Sequence, residues 1–311
     1  MRHIFVYNPI AGKDTVAEIK LLRERMHRYD GRLSYEFYAT KCPRDATEFV
    51  RMRCEAEPHT ELRFYACGGD GTANEVMQGV LGYENASMTC FPCGSGNDYV
   101  KYYGGAMRFR DLDMLLLAKE RRVDLMRIGW RYAMNVVNFG FDTAVADTMD
   151  KVRHKKFIGG NNAYTTGIVK ALMTSMRNDC TVWVDGERIN DGKILLCTVS
   201  NGKFVGGSFC CAPRSVNDDG LMEVCLVKPV SHLTFIKLIG AYKEGKHLDD
   251  PRFAKYIEYR RAKRVRVKSK GKFAYTLDGE VIPSNDFTIE VVPQALRFAV
   301  PEKRKRSGSL R

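Results

Sequence analysis

Apolar and polar positions along about the first hundred residues follow two alternating patterns. Short, mostly apolar runs typical of buried strands are separated by longer segments in which apolar residues recur at helical spacing. Predicted strands cover 3–7, 33–39, 62–66 and 87–91, and predicted helices cover 15–29, 43–57 and 73–81, with a short helix starting near Asn97. Strand and helix in strict turn predict a parallel sheet covered by helices on both faces.

Beyond about residue 123 the pattern changes to strands joined by tight turns. Strands are predicted over 123–130 and 132–139, a helical interval over 142–176, a further helix over 231–246, and mostly strands elsewhere. Asp185-Gly186 and Asp278-Gly279 each follow a short apolar run and are typical of β-hairpin turns. The second part is therefore predicted to be mainly antiparallel β, and the apolar segment 295–301 is predicted to pack back onto the first domain.

Length and composition agree with this two-part organisation. A chain of 311 residues suggests two domains, and 44% hydrophobic with 28% charged residues is ordinary for a globular protein. No run of about 18 apolar residues occurs, so no membrane span is predicted. The N-terminal segment is predicted to be a first strand and not an export signal.

The ten cysteines lack the spacing of a disulfide framework, which indicates a reducing, cytoplasmic environment. Cys90 and Cys93 have the C-x-x-C spacing of redox-active pairs and of half a zinc site. No second such pair follows in the sequence, so we favour neither role.

The formal net charge of +13 indicates attraction to polyanions. Nucleic acid, anionic lipid headgroups and a nucleotide substrate all fit this sign of charge. Cations recur at every second position over 264–272, and the tail at 303–306 is wholly basic. For both segments a solvated surface and a contact with acidic membrane remain open alternatives.

A glycine-rich loop, Cys67-Gly68-Gly69-Asp70-Gly71-Thr72, stands between a predicted strand and a predicted helix. Glycines let the backbone approach a ligand closely, and the first amides of a helix bind anions, so the loop predicts a phosphate site. A carboxylate beside phosphates calls for a divalent cation, so Asp70 points to a metal–nucleotide complex. The alternative is an ordinary loop in which Asp70 only caps the next helix.

Four segments follow the predicted parallel strands: 8–13, Thr40, the Gly68 loop and 92–98. Ligands of parallel sheets bind beyond the carboxyl ends of the strands. These segments offer glycines, an Asn-Pro pair, a Gly-Lys pair and a hydroxyl, which together predict one pocket.

The glycine loop lies between Asn8-Pro9-x-x-Gly12 and Gly94-Ser95-Gly96-Asn97-Asp98. This ordered set resembles the soluble bacterial diacylglycerol kinase family and its sphingosine and ceramide kinase relatives. Further matches extend the resemblance over nearly the whole chain: Gly140-Phe141-Asp142, Asn201-Gly202, Gly206-Gly207, Ala212-Pro213, Asp218-Asp219-Gly220-Leu221 and Leu277-Asp278-Gly279-Glu280.

The resemblance implies an α/β nucleotide-binding domain with a parallel sheet, like that of NAD kinases and phosphofructokinases, over 1–124 and about 293–311. It implies a mainly antiparallel β second domain over 125–292 for the lipid substrate, with the active site in the cleft between the two. Its implied cofactors are ATP and Mg²⁺.

The resemblance also implies site residues. ATP contacts would come from Asn8, Pro9, Ile10, Ala11, Gly12, Thr40, Gly69, Asp70, Gly71, Thr72, Ala73, Asn74, Glu75 and Ser95. Carboxylates around the catalytic Mg²⁺ would be Asp70, Asp98 and Asp124. Glu280, supported by Asp278, would be the general base for the lipid hydroxyl. A second, structural Mg²⁺ would be bound by Asp219 and the carbonyl oxygens of Val216 and Leu221.

Simpler roles exist for several of these residues. Glu280 follows a hairpin turn and is also typical of a turn carboxylate that pairs with a nearby lysine, and Asp218 and Asp219 are common turn formers. The chain departs from the family where Ala11 replaces a common serine, Ser95 a threonine and Glu223 an aspartate. None of these changes removes an essential group.

The sequence therefore predicts an ATP-dependent kinase that phosphorylates a lipid hydroxyl, with diacylglycerol as acceptor and phosphatidic acid as product. Alternatives are a kinase for a sphingoid base, an NAD kinase, and a non-catalytic basic module that binds anionic lipid or nucleic acid. The expected location is cytoplasmic, at the inner face of an anionic membrane, with no specific nucleic acid partner and with homodimerisation open. The apolar segment 157–176 is a candidate lipid lid, with an ordinary packed helix as the alternative.

Overall fold

The computed structural model describes residues 1–12, 14–141, 143 and 176–302. The chain divides into two units, Met1–Val123 with Leu296–Arg311, and Asp124–Ala295. Nearly all of the predicted helical interval over 142–176, with the candidate lid, lies outside the described residues, as does the basic tail at 303–306. None of the described helices is long and apolar enough to cross a membrane.

The first unit is built on a parallel sheet in the order β4-β3-β1-β2. Its strands are β1 (Arg2–Tyr7), β2 (Ser34–Ala39), β3 (Leu62–Gly68) and β4 (Ala86–Pro92). Its helices are α1 (Thr15–Met26), α2 (Asp45–Ala56), α3 (Asp70–Val80), α4 (Ala106–Phe109) and α5 (Leu112–Leu116), with 3-10 turns at His27–Tyr29 and Tyr99–Tyr103. Every residue of β3 and β4 is buried, which explains why both strands are mostly apolar, with Arg63, Ser87 and Thr89 as buried polar members.

The end of the chain completes the core of the first unit. Phe298 pairs in parallel register with Met88 of β4 and is fully buried. The rings of Tyr99, Tyr103 and Phe109 surround it at centroid distances of 5.2, 5.5 and 6.2 Å. The apolar segment predicted over 295–301 is therefore a strand of this unit's sheet.

The described part of the second unit contains two large antiparallel sheets and a two-stranded antiparallel sheet formed by 178–179 and 193–194. Its strands are β5 (Lys119–Ile128), β6 (Arg131–Ala133), β7 (Val136–Gly140), β8 (Asn178–Asp179), β9 (Thr181–Val184), β10 (Glu187–Arg188), β11 (Lys193–Ile194), β12 (Leu196–Ser200), β13 (Met222–Val227), β14 (Ile257–Ala262), β15 (Arg264–Lys268), β16 (Ala274–Leu277), β17 (Glu280–Pro283) and β18 (Asp286–Val300); β5 and β18 extend into the first unit. One sheet has the order β14-β13-β12-β7-β16-β17, and the other includes β10-β9-β15-β18.

Aromatic side chains from both sheets meet in the core of the second unit. Phe287 of β18 lies 5.7 Å from Phe139 of β7 and 4.5 Å from Tyr275 of β16, measured between ring centroids. A second apolar cluster lies under helix α6 (His232–Lys243), where Phe235 contacts Phe141 at 4.9 Å. A parallel α/β unit plus an antiparallel β unit confirms the predicted fold class.

Several element boundaries differ from the predictions for local reasons. Helix α3 starts at Asp70 and not at Ala73, because extended Gly69 is its N-cap and Gly71 lies within its first turn. Glycine is unfavourable inside helices, so the sequence pattern predicted a start of α3 that is three residues too late. The predicted strand over 132–139 is two strands, since the backbone of Met134 and Asn135 bonds to a side chain elsewhere instead of continuing the ladder.

Candidate functional site

The strand register of the first unit brings four loops to one edge of its sheet. Tyr7 is paired with both Ala39 and Cys67, and Cys67 is paired with Phe91. The segments that follow these residues therefore leave the sheet side by side. They are the segments expected to bind ATP.

Three glycines allow these loops to touch through their backbones. A Cβ atom on Gly12 would lie 2.6 Å from the carbonyl oxygen of Cys93, and one on Gly69 would lie 2.6 Å from that of Gly96. A Cβ atom on Gly94 would lie 2.3 Å from the amide nitrogen of Gly69. Any larger residue at these positions would push two loops apart, so these glycines build the loop edge itself.

Helix α3 begins at this edge with two N–H groups that no described residue accepts. The Asp70 N–H donates to the Gly96 carbonyl at 2.9 Å and the Ala73 N–H to the Gly69 carbonyl at 3.0 Å. The N–H groups of Gly71 and Thr72 have no partner in the described part of the chain. A Cβ atom on Gly71 would meet only open space. A helix N-terminus with free amides and no side chain in front of it is suited to bind an anion.

Asp70 turns its carboxylate towards the loop that follows β4. Its Oδ1 and Oδ2 accept the Asp98 N–H at 2.9 and 3.0 Å, and Oδ1 accepts the Tyr99 N–H at 3.4 Å. Asp70 therefore does cap a helix, but the capped turn is Tyr99–Tyr103 and not its own helix. The buried Asp98 in turn accepts from Lys101 Nζ at 2.5 Å.

Among the other residues expected to bind ATP, Asn8 shapes its own loop. Its Oδ1 accepts the Ile10 N–H at 3.0 Å, and its carbonyl accepts the Ala11 N–H at 3.1 Å. Ile10 is left 89% exposed, and Ser95 is exposed as well. The Thr40 N–H donates to the Tyr7 carbonyl at 2.9 Å, so Thr40 continues the pairing of β1 and β2 by one residue.

The carboxylates of Asp70 and Asp98 have the oxygen ligands that suit a magnesium ion. An ionised carboxylate has about four lone-pair sites, so hydrogen bonds from backbone N–H groups leave Asp70 with further oxygen acceptors. Hard oxygen ligands beside a phosphate site are what Mg²⁺ prefers. The described residues contain no cluster of three or more acidic, histidine or cysteine side chains that would hold a metal alone.

Asp124 belongs to the second unit and is completely buried there. Its Oδ2 accepts the Gly220 N–H at 2.6 Å and its Oδ1 accepts the Gln294 N–H at 2.7 Å. Its carbonyl oxygen accepts from Asn201 Nδ2 at 2.6 Å. Asp124 thus joins three segments that are far apart in sequence.

Asp278 makes similar contacts in the same unit. It lies in the left-handed region at φ 47°, at the tip of the hairpin between β16 and β17. Its carboxylate accepts the N–H groups of Met134 at 2.9 Å and of Asn135 and Val136 at 3.0 Å each. Asp278 therefore fixes the link between β6 and β7 and anchors its own hairpin to it.

Glu280 starts β17 beside this anchor, with 64% of its side chain exposed. Its Oε1 accepts from Arg131 Nη1 at 2.7 Å, and the Arg131 guanidinium lies 4.9 Å from the centre of the Trp130 ring. Oε2 has no partner in the described part of the chain. Glu280 is therefore held through one carboxylate oxygen, and its partner is an arginine where a lysine was the simpler expectation.

Asn135 and Asn201 connect the two aspartates, and sequence reasoning missed this role. The N–H groups of Asn201 and Gly202 both donate to the Asn135 carbonyl at 2.9 Å. A Cβ atom on Gly202 would lie 1.9 Å from Asn135 Oδ1, so only glycine fits. The Asn201-Gly202 pair was visible as a family match, whereas no sequence signal indicated Asn135.

The residues expected to hold a structural Mg²⁺ already contain a cation. Arg261 forms ion pairs with Asp219 and, at 2.9 Å, with Glu223. Glu223 and Arg261 are direct partners in the pairing of β13 with β14. Burial raises the pKa of Glu223, and the guanidinium opposes that rise. Asp219 Oδ1 also accepts the Leu221 N–H at 3.1 Å, and Val216 is 38% exposed. Arg261 thus offsets the charge of both carboxylates in the described structure, and a second Mg²⁺ at this turn stays a prediction.

Burial disfavours the thiolate form of both cysteines in the C-x-x-C pair. Burial raises the pKa of Cys93 to about 11 and also raises the pKa of the buried Cys90. None of the ten cysteines forms a disulfide bond. Because the thiolate is the reactive form, this supports neither redox chemistry nor metal binding at the pair.

Comparison with known proteins adds independent observations. Residues 2–128 match the diacylglycerol kinase catalytic domain, and residues 135–300 match the YegS C-terminal NAD kinase beta sandwich-like domain. The chain is 28% identical over 280 residues to a diacylglycerol kinase of Bacillus subtilis (strain 168), covering 88% of both chains. It is 26% identical over 286 residues to a probable lipid kinase YegS-like of Shewanella frigidimarina (strain NCIMB 400), covering 90% of this chain and 87% of the relative.

Solved structures share the fold at lower identity. A putative diacylglycerol kinase from Bacillus anthracis str. Sterne superimposes with a TM-score of 0.71 at 18% identity, covering 96% of this chain and 97% of the other. A second structure with the same description gives a TM-score of 0.69 at 19% identity, with the same coverage.

Proposed function

Since the chain belongs to the family that joins a diacylglycerol kinase catalytic domain to a YegS-type C-terminal domain, and is therefore an ATP-dependent lipid kinase, we propose that diacylglycerol is its acceptor and phosphatidic acid its product. The membership confirms the resemblance predicted from the sequence. The name of the Bacillus subtilis relative supports this acceptor over a sphingoid base. The single observation that carries the chemistry is the N-terminus of α3, with two free N–H groups at the edge where four loops leave the sheet.

In this proposal the first unit binds ATP with its phosphates at the N-terminus of α3. The partial positive charge of a helix N-terminus and its free N–H groups both stabilise phosphate oxygens. The missing side chain of Gly71 leaves room for them. Residues 1–124 with about 293–311 are the proposed nucleotide domain, and 125–292 the proposed lipid domain.

We assign Mg²⁺ to Asp70 and Asp98, whose oxygens suit this ion. When bound, the ion would offset the charge that phosphoryl transfer spreads over the phosphate oxygens. Asp124 stays a predicted member of this carboxylate set. Its described contacts support a structural role, because its carboxylate binds the N–H groups of Gly220 and Gln294 within the second unit.

Glu280 is the proposed general base. Its Oε2 would accept the proton of the lipid hydroxyl, while Arg131 keeps Oε1 in place. We assign Asp278 the part of a positioning residue, because its carboxylate binds the backbone N–H groups of the link between β6 and β7. Since diacylglycerol resides in bilayers, the enzyme would work at a membrane surface, for which we propose the cytoplasmic face.

The test is transfer of labelled γ-phosphate from ATP to diacylglycerol, a sphingoid base or NAD, each offered separately. We expect label in diacylglycerol, and a loss of about 10² to 10⁴ in rate for Glu280→Gln. Label in the sphingoid base would show that the acceptor is a sphingoid base and not diacylglycerol. Label in NAD would overturn the assignment as a lipid kinase.

The chain contains a matched control for this variant. Asp185-Gly186-Glu187 repeats the tripeptide of the Glu280 hairpin, with φ of 46° at Asp185 against 47° at Asp278. Glu187 is also exposed and lies near an arginine, Arg260, at 3.8 Å. Glu187→Gln should therefore leave the rate unchanged, and an equal loss in both variants would contradict the assignment of Glu280.

A further inference from the structure

Helix α6 of the second unit presents an apolar stripe to solvent. Phe235, Leu238 and Tyr242 are buried and hold the helix on its sheet. Leu233 and Ile236 lie on the other side and are 75% and 62% exposed. Exposed aliphatic side chains three positions apart lie on one face of a helix, so they form a continuous apolar strip.

Lysines flank this strip. Lys237 and Lys243 are exposed and make no ion pair with any described residue. Helical spacing places them on the same outward side as Leu233 and Ile236. We call these four residues the α6 outer face.

The basic strand β15 differs from this face in one respect. Arg264 lies 3.6 Å from Glu290, and Arg266 and Lys268 lie 3.4 and 3.8 Å from Asp286. The cations of β15 are therefore neutralised by carboxylates of the neighbouring strand β18. The lysines of the α6 outer face keep their charge available for an external anion.

We propose that the α6 outer face docks the enzyme on anionic bilayers. Lys237 and Lys243 would contact lipid phosphates, and Leu233 and Ile236 would enter the boundary between headgroups and acyl chains. Amphipathic helices with aliphatic residues beside lysines bind membranes in this way. A second copy of the chain fits less well, because it would bring unpaired lysines and two net charges of +13 together. The proposal rests on the proposed function only in that the lipid acceptor resides in a bilayer.

The test is co-sedimentation of the full chain with vesicles of phosphatidylcholine alone and of phosphatidylcholine with phosphatidylglycerol, at low and physiological ionic strength. Wild type should bind the anionic vesicles and release as salt is added. The double variant Lys237→Glu/Lys243→Glu should bind at least about tenfold more weakly. Lys270→Glu/Lys272→Glu changes the charge equally at another exposed site and should lose much less.

A second pair of variants tests the apolar strip. Leu233→Ser/Ile236→Ser should weaken vesicle binding at both ionic strengths, because this part of the attraction is not electrostatic. Met107→Ser/Leu117→Ser alters two side chains of the first unit that are 80% and 82% exposed, and should bind like wild type. Thermal unfolding of each variant verifies that it is folded.

Three results would overturn the proposal. They are no binding of wild type to anionic vesicles, equal losses in both lysine pairs, and a dimer in analytical ultracentrifugation that Leu233→Ser/Ile236→Ser abolishes. Phosphorylation of a short-chain diacylglycerol in detergent tests the kinase function separately. The α6 variants should retain that activity, and its absence in wild type would contradict the acceptor without touching the vesicle result.

Discussion

Arg131 contacts Glu280 through a single carboxylate oxygen, Nη1 to Oε1 at 2.7 Å, and is itself held against the ring of Trp130. Only 18% of the Arg131 side chain is exposed, against 64% for Glu280. The less mobile partner therefore sets the direction in which the exposed carboxylate points.

We expect Arg131→Gln to lower kcat by about 10- to 100-fold, because a catalytic group that is misplaced by about 1 Å loses rate on this scale. The KM for ATP should stay constant, since the contact lies with the proposed base. Steady-state kinetics measures both quantities. Arg260→Gln, which alters the partner of Glu187 in the matching hairpin, is the control, and a purely structural role for Arg131 would change KM and thermal stability as well.

Gly71 and Gly94 should respond in opposite ways to substitution by alanine. Gly71→Ala adds a methyl group to open space in the first turn of α3 and should raise the free energy of unfolding by about 0.5–1 kcal/mol. It should nevertheless weaken ADP binding, because the methyl group would occupy the proposed phosphate position. Gly94→Ala forces a Cβ atom to within 2.3 Å of the Gly69 nitrogen and should lower both stability and binding. Urea unfolding measures stability, and calorimetric titration measures the binding of ADP. Unchanged ADP binding in Gly71→Ala would contradict the proposed phosphate position at the N-terminus of α3.

Arg261→Gln should destabilise the second unit in a pH-dependent way. Burial raises the pKa of Glu223 in the folded chain above its unfolded value, so its contribution to stability is complete below the unfolded pKa and is lost as pH rises through the folded pKa. Arg261 opposes the rise, so its removal should enlarge the loss of stability as the pH rises above 4.5, the ordinary pKa of glutamate. The cost near neutral pH should be about 1–2 kcal/mol, since the guanidinium is partly exposed.

Urea unfolding at a series of pH values measures the difference. If the unfolding free energies of wild type and variant depended on pH in the same way, Arg261 would not influence the protonation of Glu223. EDTA should leave the wild-type Tm unchanged, because arginine already neutralises Asp219; a fall in Tm would support the structural Mg²⁺ that the family resemblance implies.

Cys93 should resist alkylation in the folded protein. With burial raising its pKa to about 11, its thiolate is a very small fraction at neutral pH. Exposed Cys42 is the internal control and should be modified first. Mass spectrometry after timed treatment with iodoacetamide follows both residues, and equal rates would mean that the Cys93 thiol is accessible and reactive.

Sequence reasoning succeeded where one segment determines its own environment. The fully buried strands β3 and β4 produce mostly apolar runs, and the hairpin at Asp278-Gly279 is specified by the residues of the turn itself. The strict alternation of strand and helix then dictated the sheet edge at which the loops meet.

It could not find contacts that depend on the pairing of distant strands. Glu223 and Arg261 meet only because β13 and β14 align in one register. The two N–H groups that donate to the Asp124 carboxylate lie 96 and 170 residues away along the chain. Nothing in the local sequence signals either arrangement.

The two Asp-Gly-Glu hairpins also show that a local sequence pattern does not determine function. Identical tripeptides adopt nearly identical turns, and Asp185 accepts the N–H groups of Lys263 and Arg264 much as Asp278 accepts those near Asn135. The tripeptide therefore encodes an anchored turn. Any catalytic role of Glu280 comes from its surroundings in the second unit.

The burial of Phe298 among Tyr99, Tyr103 and Phe109 has a consequence for synthesis on the ribosome. The ribosome completes the first 123 residues long before it makes the strand that fills their core. Until then, three aromatic rings of the nascent chain lack their central partner and expose apolar surface, which is where chaperones and aggregation act. The first unit, although it begins the sequence, should therefore be the last to reach its native state.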